Sequence, residues 1–100
     1  MSVINKKNDV VIEELIVEPG RDEHIAKHNI AIEEVIEIVS GNYVYIQGKL
    51  DRWLLTGKTK KGRFLTVIVG ERRKKNTYGL VTARPSRKEE ISFYHELTLE

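Results

Sequence analysis

YVYIQGKLDRWLLTGKTKKGRFLTVIVGERRKKNTYGLVTARP, residues 43–85, is the stretch that decides the fold. Tyr43–Ile46 ends near Gly48, Trp53–Leu55 before Gly57, Phe64–Val69 before Gly70, and Tyr78–Thr82 ahead of Pro85. Four runs rich in β-branched and aromatic residues, punctuated by glycine and polar turns, predict four strands. Gly48-Lys49-Leu50-Asp51 and Lys58-Thr59-Lys60-Lys61-Gly62 read as hairpin loops, and connections this short force antiparallel neighbours.

Upstream, Val10–Val17 is an apolar run broken by Glu13 and Glu14 and stopped by Pro19-Gly20, which predicts another strand. A short helix is expected over Arg21–His28. Asp22 and Glu23 sit in its first turn, Lys27 in its last, and Asn29 tolerates a left-handed exit. In Ile32–Val39 the apolar Ile32, Val35, Ile36 and Val39 recur at helical spacing. Downstream, Ser86 and Glu89 form a capping-box pattern that opens a helix over Arg87–Glu96, with Ile91, Tyr94 and His95 facing inward. The order β-α-α-β-β-β-β-α is α+β, with two N-terminal helices and one C-terminal helix around a mostly antiparallel sheet. One sheet face is expected under helices, the other solvated or against a partner. Residues 1–100 fit a single domain with an ordered core of about 10–96, Met1–Asn8 being a frayed lead-in and Leu97–Glu100 a tail.

Charge is segregated along the chain. Leu50–Lys88 carries 12 Lys or Arg against Asp51 and Glu71, net +10, whereas residues 1–49 and 89–100 each net −4. A polyanion such as RNA would feel that middle segment. Without cysteine there is neither a disulfide framework nor a thiolate metal site, which fits a reducing cytoplasm. No signal-peptide pattern and no apolar run of membrane-spanning length occurs, so no membrane partner is expected.

Zinc-hydrolase, nucleophile-elbow, phosphate-loop and dinucleotide motifs are all missing. His24 and His28 share a helix face but lack a third ligand, so neither metal nor cofactor is expected. RNA cleavage without metal needs a base for the 2′-hydroxyl, cations for the phosphorane and an acid for the leaving oxygen. Arg63 opens one strand and Arg84 closes its neighbour, so both guanidiniums are expected at one rim of the sheet, gripping phosphate. Arg87, Glu90 and Tyr94 lie within two turns of that rim, and His28 is the neutral-pH base if the first helix packs there. Glu90, His28 and Tyr94 stay open as proton carriers. Lys58, Lys60, Lys61, Arg72, Arg73 and Arg87 would hold the RNA strand. Plainer readings stand beside these: solvated lysines at hairpin tips, edge-strand lysines that block aggregation, Trp53 and Tyr45 as core, Tyr94 as packing.

The string His24-Ile-Ala-Lys27-His28-Asn29-Ile30-x-x-Glu33-Glu34-Val35 resembles the Lys-His-Gly-Ile/Val-x-x-Glu-Glu opening of BrnT-family toxins. Leu54-Leu55-x-Gly57-x-Thr59, Gly62-Arg63-x-Leu65-x-Val67 and the ending Val81-Thr82-Ala83-Arg84, Glu90, Tyr94 are similar to later family motifs, in the same order. The family's aromatic-Trp-Asp element is replaced by Ile16-Val17-Glu18-Pro19-Gly20, its glycine after Lys-His by Asn29, and Pro85 follows Arg84. The resemblance implies a RelE-like fold and the toxin of a type II toxin–antitoxin pair. It implies an RNA endonuclease that inhibits translation, restrained by a cognate antitoxin, with heterotetrameric complexes in which the antitoxin carries the DNA-binding element. A non-enzymatic nucleic-acid-binding module, or a degenerate toxin kept as the antitoxin's corepressor, are the alternative expectations.

Overall fold

The computed structural model describes residues 3–4, as backbone, and residues 10–98. Two strands, β1 (Val3–Ile4) and β2 (Glu14–Ile16), precede the helices α1 (Arg21–Ala26) and α2 (Ile32–Ser40). Four strands follow, β3 (Tyr43–Gln47), β4 (Arg52–Lys58), β5 (Phe64–Glu71) and β6 (Thr77–Pro85), and then α3 (Lys88–Thr98). The sheet runs β1-β3-β4-β5-β6-β2; β2 lies parallel to β6 and every other pair is antiparallel. The α+β order expected from the sequence is present, with β1 added at one edge.

Register assigns the faces, because directly opposed residues point the same way. Tyr45, Leu55, Val67 and Ala83 form one row across β3–β6, all buried under α1 and α2 with Ile25, Val35 and Ile38. Alternation sends Val44, Thr56, Thr66 and Arg84 to the other face. There α3 crosses one end of the sheet, its Glu90 bonded to Thr66 and its Tyr94 against Phe64. The molecule is therefore three-layered at that end. The second face is part covered by the chain's own helix and part open.

Several local expectations are corrected. The first strand shrinks to Glu14–Ile16, while Val10 leaves the sheet and plugs the core at 0% exposure. In β1, Val3–Ile4 pairs with Ile46 and Tyr45, so part of the supposed lead-in is strand; the rest of that stretch lies outside the described residues, as do residues 99–100. Helix α1 stops at Ala26, and Asn29 takes the left-handed exit at φ 62°. On α2 the inner residue is Ile38, not Ile36, which is 49% exposed. Gly57 explains the choice: a Cβ there would lie 3.3 Å from Ile38 and 2.9 Å from the Asn42 carbonyl, so the glycine lets the helix approach the sheet at Ile38. At α3, Ser86 is not the cap; Glu90 accepts from the Arg87 N–H at 2.7 Å, shifting the capping arm one residue along.

Candidate active site

Beneath α3 a chain of hydroxyls meets an ion pair. Thr66 Oγ1, fully buried, lies 2.8 Å from Thr56 Oγ1, 2.9 Å from Ser86 Oγ and 2.9 Å from Glu90 Oε1. A carboxylate only accepts, so Thr66 donates its one hydroxyl hydrogen to Glu90 and accepts hydrogen bonds from Thr56 and Ser86. Glu90 also takes both forks of Arg84, Nη1 to Oε1 at 2.9 Å and Nη2 to Oε2 at 2.7 Å, and the Arg87 N–H. Burial pushes the Glu90 carboxyl up, but these donors and the Arg84 charge outweigh it and hold the group below the ordinary carboxylate range. The Glu90 hydrogen bond in turn raises the Arg84 pKa against the effect of burial, so the guanidinium stays charged.

Glu90 thus has both oxygens occupied and a lowered pKa, and its bonds fix the orientation of Arg84. Tyr94 is 3% exposed, its ring edge-on to Phe64 and His95 at 5.4 and 5.9 Å. Lys58 Nζ sits 5.6 Å over the Phe64 ring at the mouth of this region, and Arg87 is exposed beside it. His95 Nδ1 is buried and has no hydrogen-bond partner among the described residues.

The expected meeting of Arg63 with Arg84 does not occur. Arg84 is paired in register with Thr66; Arg63 lies three residues before Thr66, an odd number, so it leaves the opposite face. Its Nη1 donates to the Asn29 carbonyl at 2.7 Å and to both Glu34 oxygens at 3.1 Å, on the α2 side. Glu34 also accepts the Ala31 N–H at 3.0 Å, and that bond, with Arg63, holds its carboxyl below the usual range against burial. His28, in the turn after α1, stacks edge-on with His24 at 5.9 Å, while His24 Nε2 lies 3.1 Å from Thr82 Oγ1. His28 therefore stays with α1 rather than under α3. The shared rim is real, since Arg63 and Arg84 are at the same end of the sheet, but the sheet separates them.

The basic segment is also divided. Lys58 pairs with Phe64 at one end of the β4–β5 ladder and Arg52 with Gly70 at the other, about 20 Å away at ~3.4 Å per residue. Lys58, Lys60, Lys61 and Arg87 belong to the α3 end; Arg72 and Arg73 belong to the far end, where Arg72 pairs with Glu18 at 3.2 Å and Lys74 with Glu14 at 3.5 Å. Charge contiguous in sequence becomes two patches because each hairpin returns the chain to the opposite end. Thr56 and Thr66 went unread in the sequence, and Ser86 entered only as a helix cap. The signal at the two threonines was a hydroxyl on the polar phase of strands otherwise built from Val, Ile and Leu, which β-propensity alone had absorbed.

Among the described residues no three or more His, Cys, Asp or Glu side chains gather as a metal site, and no helix is long and apolar enough to cross a membrane. No protein-family model matches the sequence, and no characterised protein matches it by sequence comparison. Among solved structures, the ribonuclease toxin BrnT of Brucella abortus superposes with a TM-score of 0.58 at 19% identity, over 75% of this chain and 97% of that one. At that identity the likeness is one of architecture, and it agrees with the order of elements and the helices described above: the chain has the fold of the BrnT ribonuclease toxin.

Proposed function

We propose that the protein is the toxin of a type II toxin–antitoxin pair, a metal-independent RNA endonuclease that inhibits translation. The observation that carries this reading is the Arg84–Glu90 fork on a hydroxyl floor, at the end of a sheet shared with a ribonuclease toxin. The 2′-hydroxyl of a ribose gives up its proton as its oxygen attacks the adjacent phosphorus, the bond to the 5′-oxygen breaks and that oxygen takes up a proton, and a 2′,3′-cyclic phosphate and a 5′-hydroxyl result. Arg84, fixed by Glu90 and kept charged, neutralises the phosphorane, and a preorganised cation of this kind costs no reorganisation at the moment of reaction. Lys58 and Arg87 flank it and hold neighbouring phosphates. Arg63 has a structural role, tying the α1–α2 turn to the start of β5.

Purified protein should cut RNA in EDTA. Arg84→Ala should slow cleavage by about 10²-fold or more, Arg84→Lys should fall between because an ammonium lacks the fork, and Arg63→Ala should cut at the parent rate. An unchanged rate in Arg84→Ala rejects the assignment. A second reading, a partner protein that binds nucleic acid and antitoxin without cleaving, is favoured by one observation: both arginines proposed from sequence already hold a carboxylate. It requires salt-dependent RNA binding with no product at any protein concentration. The expected antitoxin is tested by co-expression with the neighbouring small reading frame and recovery of a complex.

A further inference from the structure

The open end of the α3 face holds a cleft of about 290 Å³ that the Arg84 centre does not use. Arg52, Gly70 and Gly79 lie side by side across β4, β5 and β6. Over Gly79 rests the Arg72 guanidinium, in the space a Cβ would occupy. Above Gly70 there is open space among the described residues: a Cβ there would meet only Val81 Cγ2 of them, at 3.8 Å. Neither glycine has a positive φ, so backbone geometry does not require them. A glycine inside a strand that leaves space above its backbone marks a place for a close-lying group.

Three guanidiniums surround that space. Arg72 donates one nitrogen to Glu18 and Arg21 donates Nη1 to the Val81 carbonyl at 3.1 Å, leaving donors over on each. Arg52 is exposed, and its guanidinium has no hydrogen-bond partner among the described residues. Three acids also line the cleft: Glu18 is spent on Arg72, Glu71 accepts the Trp53 indole N–H at 2.7 Å, and Asp51 is exposed at the turn. At the lip stands Leu50, 82% exposed and left-handed at φ 58°, a leucine where a hairpin turn favours glycine or asparagine. Neither solubility nor turn stability accounts for it, and strain of this kind concentrates where a surface is used.

We propose that this cleft is a second phosphate station for single-stranded RNA, on the same face as Arg84. The four residues from Thr66 to Gly70 set the two stations about 13 Å apart. Between them runs a half-buried row, Ile46, Leu54 and Ile68, in register across the sheet and fit to receive bases, with Thr82 beside it held by His24. The strand lies with one phosphate on Arg52 and Arg72 over Gly70 and its scissile phosphate at Arg84. This rests on the ribonuclease reading and adds an anchor to it.

The test is fluorescence anisotropy with a labelled single-stranded RNA bearing 2′-O-methyl groups, which cannot be cut by internal attack, together with cleavage kinetics on the unmodified strand. Arg52→Ala should weaken binding about tenfold and lower the salt slope by about one, raising KM while kcat stays. Gly70→Val suits a strand and should fold as the parent does, shown by its circular dichroism and melting, yet lose binding to a similar extent. Lys27→Ala, at the C-cap of α1, should change neither. If Arg52→Ala and Gly70→Val bind RNA like the parent while Arg84→Ala still fails to cleave, the station falls and the ribonuclease reading stands. If the parent protein binds no RNA, both fall. If the two variants keep RNA affinity but lose a co-expressed protein partner, the cleft docks protein and the proposal is overturned.

Discussion

Replacing Glu90 with alanine should destabilise the protein by about 3 kcal/mol. Its carboxylate accepts four hydrogen bonds: two from Arg84, one from the Thr66 hydroxyl and one from the Arg87 N–H at the start of α3. Breaking a fully buried ion pair costs about 3–5 kcal/mol, because the surviving charge stays desolvated. Here the side chains are 11% and 22% exposed, so water recovers part of that and about 2 kcal/mol is left. Loss of the helix cap adds about 1 kcal/mol. In a chain of this size each kcal/mol moves the melting point by about 4–8 °C, so a fall of about 12–24 °C is expected. Urea unfolding followed by circular dichroism measures the free energy, and a cycle with Arg84→Ala and the double variant should show about 1–3 kcal/mol of coupling. Glu90→Gln keeps an acceptor oxygen and should lose less. A Glu90→Ala cost below about 0.5 kcal/mol, the level of an ordinary surface change, would refute the account of Glu90 as the anchor of Arg84. So would a Glu90→Gln protein that keeps its stability and Arg84 geometry but loses all cleavage, since that behaviour belongs to a proton carrier.

Leu50 and Asp51 both adopt φ 58° in the β3–β4 turn, so Leu50→Gly should relieve about 1 kcal/mol of left-handed strain and raise the melting temperature. Gly57→Ala should cost about 2 kcal/mol by urea unfolding, because its Cβ would meet the Asn42 carbonyl at 2.9 Å and push α2 off the sheet. Glu90 and Glu34 have folded-state pKa values below those of the unfolded chain, so their stabilisation is complete above the ordinary glutamate pKa and is lost as pH falls through the lowered values. An acid titration of stability should therefore steepen below about pH 4.3, less so in Glu34→Gln. At the alkaline side burial pushes Tyr43 up to about 12, so stability should fall as pH rises from 10 towards 12, where the unfolded phenol ionises and the folded one does not; Tyr43→Phe should flatten that limb.

Residues 43–85 made the four-stranded core of the sheet readable in advance, because strand period and hairpin chemistry are local properties. The helices were readable for the same reason, to within a residue or two at their ends. What escaped was the choice of face where a helix offers a wide apolar stripe: on α2 both Ile36 and Ile38 are apolar, and only the contact over Gly57 selected Ile38. Val10 was read as strand and serves as a core plug, because its burial depends on residues far away in sequence, such as Tyr43, whose hydroxyl donates to its carbonyl, rather than on its neighbours in the chain.

The sequence by itself determined which residue types were available: the segregated basic segment, the two arginines at one end of the β5–β6 hairpin, and the Glu90 that follows them. Tertiary structure alone decided what those residues do together. A one-residue difference in strand phase put Arg63 and Arg84 on opposite sides of the sheet, since side chains alternate with a period of two and a separation in sequence does not reveal which phase a helix will cover. Hairpin reversal then carried a continuous run of positive charge to two ends of the molecule, one around Arg84 and one around Arg52.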